Sequence, residues 1–402
     1  MASKRRTVGS SRLRQADSKF LGRDSAPLDL EVARSEGSFV FDPRGRKYID
    51  FSGGWCVGNL GWGRPEIRRR LQSFDGPDYV IPWYFYGPWV ELAALLAELT
   101  PGKLRKSFRA TGGTEAVEIA LQLAMAATGR PGFVSIEGSY HGNSIGTVSV
   151  ASASASELLP NLLSQCHSIS PPLDEEAARK VEALLRKRNI AALIMEPIIC
   201  NLAVVIPEKR FMRAVARACR KYGTLLIFDE VACGFGRTGT LFATEHFGVD
   251  PDILCLAKAI TGGHAPMGAT VVTEKVARTA EGKVGFYSTY GWHPLSVEAA
   301  LATLQYIRNH RRVLLANVNA RSRDFSERLT QLPFAFPAKV RIKGLAIGIE
   351  FESEDYGRCL AARCLEAGLL INHWEDTVTL FPALTIDRQT VRQGLDLLER
   401  CA

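Results

Sequence analysis

Two short apolar runs, Ala191-Ala-Leu-Ile-Met195 and Thr224-Leu-Leu-Ile-Phe228, enclose one helical stripe, with Phe211, Val215, Ala218 and Tyr222 on a single side. Runs of this kind belong to strands buried on both faces, and Phe133-Val-Ser-Ile136 is a third. Strand, helix, strand with short connections means a parallel sheet with helices packed on it. The expected class is therefore α/β, a mainly parallel central sheet with helices on both faces.

The rhythm changes towards both ends. Phe39-Val-Phe41 and Arg46 to Phe51 flank Asp42-Pro-Arg-Gly45, so a hairpin is expected there. A helical pattern runs from Pro294 to about residue 330. Beyond it, 340–351 and 369–380 read as strands around a helix-like stretch at 355–367. This describes a smaller α+β domain. The predicted division is an N-terminal arm with a small-domain segment (1–60), a large domain (61–296) and a C-terminal small domain (297–402). The Ala/Ser run 149–156 is the one low-complexity stretch.

Composition narrows the function classes. No apolar stretch reaches the ~18 residues that spanning a bilayer requires. The nine cysteines are scattered, with no Cys-x-x-Cys pair, as expected of reduced thiols in a cytoplasmic protein rather than of a disulfide framework or a metal site. Net charge is +8, and residues 1–23 hold seven Lys and Arg residues against Asp17 alone. Such an arm is compatible with nucleic-acid contact or a transit peptide, but the plainer expectation is a solvated, partly disordered tail. The arm holds no apolar stretch of the kind a secretory signal needs, so such a signal is not expected.

Chemistry concentrates at the ends of the apolar runs. Lys258 follows Leu254-Cys-Leu-Ala257 into a glycine-rich turn, and Asp229 ends Leu225-Leu-Ile-Phe228. Desolvation disfavours an ammonium and frees a nucleophilic lone pair, which suits a Schiff base. A carboxylate at the same sheet edge can hold a cationic ring nitrogen. These are the two protein groups that pyridoxal phosphate requires. Val231, on the same side of the extended chain as Asp229, is placed to floor the ring, while Glu230 points away and reads as structural. Thr111-Gly-Gly113-Thr114-Glu-Ala opens an amphipathic helix, a phosphate cup or merely a capped turn. Tyr140 and His141, in Gly138-Ser-Tyr-His-Gly, follow the 133–136 strand, where Tyr140 can stack on a heteroaromatic ring or simply pack in a loop. Thr289, in a Gly/aromatic loop, offers one more hydroxyl. The aromatics from Trp83 to Trp89 suit a core, a pocket or a subunit interface.

In their order, glycine-rich cup, Tyr-His-Gly, Glu196-Pro, Asp229-Glu-Val, Lys258 and Thr289-Tyr-Gly-Trp-His-Pro, these pieces resemble the class III aminotransferases, enzymes of the pyridoxal-phosphate-dependent transferase fold type I. The resemblance spans the chain from about Phe39. It implies that residues 61–296 bind pyridoxal 5′-phosphate, joined to Lys258 as an aldimine. Asp229 would partner the pyridine nitrogen, Gly113 and Thr114 the phosphate, Tyr140 with His141 the ring. It also implies a homodimer with shared active sites, Thr289 reaching the phosphate of the other subunit. The implied reaction moves an amino group between an amino compound and a keto acid or aldehyde. An intramolecular aminomutase or an amino-acid racemase is the alternative on the same scaffold. A non-catalytic scaffold touching nucleic acid through the arm is the reading from another class.

Departures from the family pattern bear on the substrate. Many relatives continue Glu-Pro with Gln-Gly-Glu, where this chain reads Glu196-Pro-Ile-Ile-Cys-Asn201. They carry an arginine before a C-terminal Pro-Pro-Leu, where this chain reads Thr379-Leu-Phe-Pro-Ala-Leu384. Both members of a gating ion pair are thus absent together, consistent with the cost of burying one charge alone. Ala232 stands where relatives place a glutamine. The Asn201 form resembles the glutamate-1-semialdehyde aminomutase branch, but Gly234-Phe-Gly-Arg-Thr-Gly does not. Trp55, Trp83, Asn201 and His373 are the expected pocket residues, and Arg237, Arg341 or a partner's arginine the candidates to replace the missing cation.

Overall fold

The computed structural model describes residues 4–23, 25, 27–151, 159–285 and 287–402, so residues 152–156 of the Ala/Ser run lie outside it. Strands β1 (Arg34–Glu36), β2 (Phe39–Phe41) and β3 (Lys47–Asp50) form an antiparallel meander. The predicted turn joins the last two, with Asp42 Oδ1 accepting from the backbone N–H groups of Arg44 and Arg46 at 2.9 Å each. The basic arm is a helix, Lys4–Phe20, rather than a disordered tail. Arg23 folds back on it, its Nε donating to Asp17 at 2.7 Å.

The central sheet contains β4 (Leu104–Ala110), β5 (Gly132–Ile136), β6 (Cys166–Ile169), β7 (Ile190–Met195), β8 (Leu225–Asp229), β9 (Ile253–Leu256) and β10 (Gly268–Thr273). Their order is β4-β10-β9-β8-β7-β5-β6, and β10 alone runs antiparallel to its neighbours. Every residue of β5, β7 and β9 is buried, as strands covered on both faces must be. The stripe read from sequence is helix Lys209–Tyr222, which buries Phe211, Val215, Ala218 and Tyr222 and stops at left-handed Gly223. Parallel strands deliver their loops to one sheet edge, where ligands of such folds collect.

Two departures in the last third have local causes. The 340–351 stretch is two strands, β11 (Ala338–Lys343) and β12 (Ala346–Phe351), because Gly344 turns the chain at φ +60. The 369–380 stretch divides into β13 (Leu369–Leu370), β14 (Asn372–Trp374) and β15 (Thr377–Leu380), with Glu375 at φ +49 in the last turn. β13 pairs in parallel with β3, whereas β11-β12-β15-β14 is a separate antiparallel sheet. The 36-residue helix Pro294–Leu329 bridges two cores. Val297 to Leu314 pack under the central sheet, and Val318, Phe325 and Leu329 join Phe51 and the β12/β15 residues. Phe51 is fully buried edge-on to Phe325, at 5.2 Å between ring centroids. Helix Arg388–Cys401 approaches the ring closely at Gly394, where a Cβ would fall 2.2 Å from it. Burying one such aromatic stabilises the fold by about 1.5–3 kcal/mol. Among the described residues no helix is long and apolar enough to cross a membrane.

Candidate active site

β8 and β9 are adjacent and parallel, with Asp229 opposite Cys255, so Asp229 and Lys258 emerge at the same sheet edge. Asp229 is 4% exposed, and both carboxylate oxygens have partners. Oδ1 accepts from the Val231 N–H at 3.0 Å, and Oδ2 lies 2.8 Å from His141 Nδ1. Behind the imidazole, Ser139 Oγ stands 3.2 Å from Nε2 and donates to the Ile136 carbonyl at 2.6 Å. A buried carboxylate held this way escapes the penalty of an unpaired charge and has a fixed orientation. Glu230 indeed points elsewhere, accepting from the Ala243 and Thr244 N–H groups at 2.7 and 2.8 Å, and burial pushes its carboxyl up to about 7.

Lys258 is half-buried and adopts φ +47 at the head of a short 3-10 turn. A left-handed backbone costs about 1–2 kcal/mol for an L-residue, and such strain concentrates at functional sites. Its charge reaches two buried groups. Burial alone would push the Cys56 thiol up, but a Cys200 hydrogen bond and the charges of Arg237 and Lys258 bring it down to about 7. Burial and the nearby Asp229 carboxylate hold Glu196 well above the usual carboxylate range, with Lys258 opposing them. Sequence reading gave Glu196 no role beyond its motif. Its signal was an acid directly after an apolar strand.

The helix Gly113–Thr128 starts where these strands end. A Cβ on Gly113 would lie 3.0 Å from Val231 Cγ1 and 3.7 Å from Ala257 Cβ. The helix has extended Gly112 before it and no side-chain cap, while Glu115 turns back to the N–H and hydroxyl of Thr111 at 2.6 Å each. Gly142, at φ +129, packs where a Cβ would stand 2.6 Å from Thr114 Oγ1. The result is an uncapped helix start lined by glycine, a setting that favours an anion. Tyr140 is 52% exposed beside it.

Three further parts of the chain pack on one another as a wall. Gly53, Gly54, Trp55 and Cys56 all have positive φ, a left-handed turn. Asp50 holds its entrance, Oδ1 accepting from the N–H groups of Ser52 and Gly53 at 2.8 and 2.9 Å and Oδ2 from Trp62 Nε1 at 2.7 Å. Only glycine fits at 53, since a Cβ would fall 2.0 Å from the Phe381 carbonyl oxygen. Trp55 is 38% exposed and lies 6.1 Å from Phe381 between ring centroids. The second segment, Glu196–Val205, brings Asn201 to the Tyr140 loop, Nδ2 donating to the Gly138 carbonyl at 2.8 Å. The third is a row of residues on neighbouring strands, Arg341, Gly348, Thr379 and Asn372 in register.

Three expected residues stand apart from this group. His373 alternates with Asn372 and faces the side of Val378, where burial and Arg358 lower its pKa. Trp83 is 78% exposed and stacks on Tyr287 at 5.6 Å. Thr289 is exposed in the same neighbourhood. The aromatic segment thus divides, for Trp89 is buried with Nε1 donating to the Trp292 carbonyl at 2.7 Å. Both candidate arginines already hold partners, although Arg237 Nε has none. Fully buried Arg237 donates to the carbonyls of Leu345 and Pro382 at 3.0 and 2.6 Å and to Asn59 Oδ1 at 2.6 Å. Arg341 pairs with Glu350 and donates to the Ala203 carbonyl at 3.2 Å.

The family model for class III aminotransferases matches residues 20–402. The chain is a member of that family. This class III aminotransferase is 35% identical to the acetylornithine aminotransferase of Methanosarcina mazei over 393 residues, 96% of this chain and 94% of that protein. It is 34% identical to the putrescine aminotransferase of Pectobacterium atrosepticum, covering 92% of this chain and 82% of the relative. Among solved structures, the adenosylmethionine-8-amino-7-oxononanoate aminotransferase of Methanocaldococcus jannaschii superposes with TM-score 0.89 at 28% identity, over 97% and 98% of the two chains. The aminotransferase fold is thus pyridoxal-phosphate-dependent transferase fold type I, and pyridoxal phosphate is the cofactor.

Proposed function

We propose that this aminotransferase takes its amino group from a primary amine at the end of a chain and carries the reaction on Lys258 and Asp229. The observation that supports this most is the doubly bonded, buried Asp229 carboxylate on the strand next to the one that leads into Lys258. The relatives named for acetylornithine and putrescine support the substrate class.

The cup fits the cofactor's phosphate, because glycine leaves room at the uncapped helix start and Thr114 adds a hydroxyl. Val231 and Tyr140 are the residues that would support the two faces of the ring. Asp229, oriented by His141, would accept a hydrogen bond from the protonated ring nitrogen and so keep the proton on that nitrogen. When bound, pyridoxal phosphate supplies an electron sink for the pair left on the substrate carbon. Lys258 would hold the cofactor, and its amine is the group placed to carry a proton between the reacting carbons. Loading the protein with pyridoxal phosphate and reducing with borohydride should fix the cofactor to one peptide, containing Lys258. A label at any other lysine, or none, overturns the assignment.

The active unit in this reading is a homodimer. Trp83, Tyr84, Phe85, Tyr287 and Tyr290 are 78, 64, 104, 55 and 64% exposed in the single chain, an aromatic surface beside Thr289 that calls for a cover. Phe85→Glu should shift a dimer towards monomer in sedimentation at micromolar concentration, by about tenfold or more in Kd. An unchanged sedimentation coefficient would remove this surface from the interface.

A further inference from the structure

We propose that the groove between helices Glu175–Leu185 and Lys209–Tyr222 is a binding site for a compact anion of linked phosphates, held by Arg179, Arg213 and Arg217. The two helices pack on one another. Between them lies an open groove of about 420 Å³, lined by Arg179, Arg210, Arg213 and Arg217 and by Glu175 and Glu182. Ala178 and Ala214 also line it, and their short side chains leave the space unfilled. None of these residues belongs to the arrangement around Lys258.

The acids of the groove already have cations. Arg210 Nη1 donates to Glu175 at 3.1 Å, and Glu182 Oε1 accepts from Lys221 Nζ and the Tyr222 hydroxyl at 3.0 Å each. Asp174, on which the Arg179 charge also acts, turns Oδ1 to the N–H groups of Glu176 and Ala177 at 2.9 and 3.0 Å. Arg213 uses its Nε on the Phe247 carbonyl at 3.4 Å. Arg179 and Arg217 have no hydrogen bond or ion pair among the described residues. Along their own helix, the charged residues three or four positions from Arg213 are Lys209, Arg210 and Arg217. Those around Arg217 are Arg213, Arg220 and Lys221. A merely solvated helix face relieves such repulsion with an acid at that spacing, and this one has none.

Guanidinium forks take phosphate oxygens two at a time and keep their charge at any physiological pH. Cations from two helices converge on one groove, so a single ligand with several charges answers them together. The lining holds no aromatic ring on which a base could stack, which makes the phosphates the whole determinant. The volume lies within the range of small-ligand sites, about 300–1,000 Å³.

The test titrates the enzyme with sodium tripolyphosphate by calorimetry at about 0.15 M salt. The enzyme is first loaded with pyridoxal phosphate, so that the cofactor occupies its own phosphate site. Tripolyphosphate should bind at least about tenfold more tightly than orthophosphate. Arg213→Gln with Arg217→Gln should weaken it by about tenfold or more, and Arg179→Gln, on the facing helix, should weaken it too. These side chains are exposed, so the variants should keep the parent's melting temperature. Arg12→Gln with Lys19→Gln removes the same net charge from the basic arm and should leave binding unchanged. Adenosine triphosphate should match tripolyphosphate within about threefold, since the groove offers the nucleoside no stacking partner. Absent binding, an equal loss in the arm variant, or undiminished binding in the Arg213/Arg217 variant overturns the site. A single-stranded oligonucleotide that binds more tightly than tripolyphosphate, at equal phosphate concentration, assigns the surface to nucleic acid and overturns the small-ligand proposal.

Discussion

Lys258→Ala is expected to lower transamination by about 10⁴-fold, the upper range for removing a positioned proton carrier. In the proposed reading the amine has two tasks at one carbon, holding the cofactor at rest and moving the proton during turnover, and no other lysine is presented at the end of β9. Alanine leaves the backbone turn in place, so the fold should survive, and the strained φ of +47 remains. Single-turnover absorbance measurements separate the tasks. Added methylamine should restore part of the rate in the variant by replacing the lost proton carrier, and should do nothing for the parent enzyme. A variant within tenfold of the parent would show that proton transfer does not pass through Lys258.

Asp229→Asn is expected to cost on the order of 10³ in rate. In the proposed reading the carboxylate serves the ring nitrogen by charge, and each pKa unit withdrawn from that nitrogen is worth about 1.4 kcal/mol, so three units give this factor. The change also disturbs the apo protein. An amide facing both the Val231 N–H and His141 presents an N–H to one of them, leaving a buried donor unmatched at about 1–3 kcal/mol. Urea unfolding of the cofactor-free variant reads that loss apart from catalysis. A normal kcat with lowered stability would make Asp229 a purely structural group.

The parts of this molecule legible in sequence are those whose neighbours are close in the chain or whose burial is complete. The β5, β7 and β8 runs are apolar on both faces, and helix Lys209–Tyr222 shows its stripe openly. β4 hides because Arg105 and Lys106 stand exposed within it, so it reads as a polar stretch. The site divides in the same way. Lys258 and Asp229 are conspicuous as polar residues directly after apolar runs. The contact between His141 and Asp229 joins residues 88 positions apart, and nothing local announces it. Asn372 rather than His373 faces the loops because strand register decides which of two neighbours points inward, and β14 is too short for its pattern to reveal that.

The left-handed run Gly53–Cys56 has a consequence for biosynthesis. It is made among the first sixty residues, yet the Asn372 amide that braces Ser52 leaves the ribosome 320 positions later, and Phe381 later still. Trp55 consequently has no settled place while the central sheet is being completed. A nascent chain halted before β13 would own every strand that presents Lys258 and Asp229, but its wall would still lack Asn372, Thr379 and the Phe381 carbonyl that close on Ser52 and Gly53. In the proposed reading the cofactor's seat is ready before the substrate's.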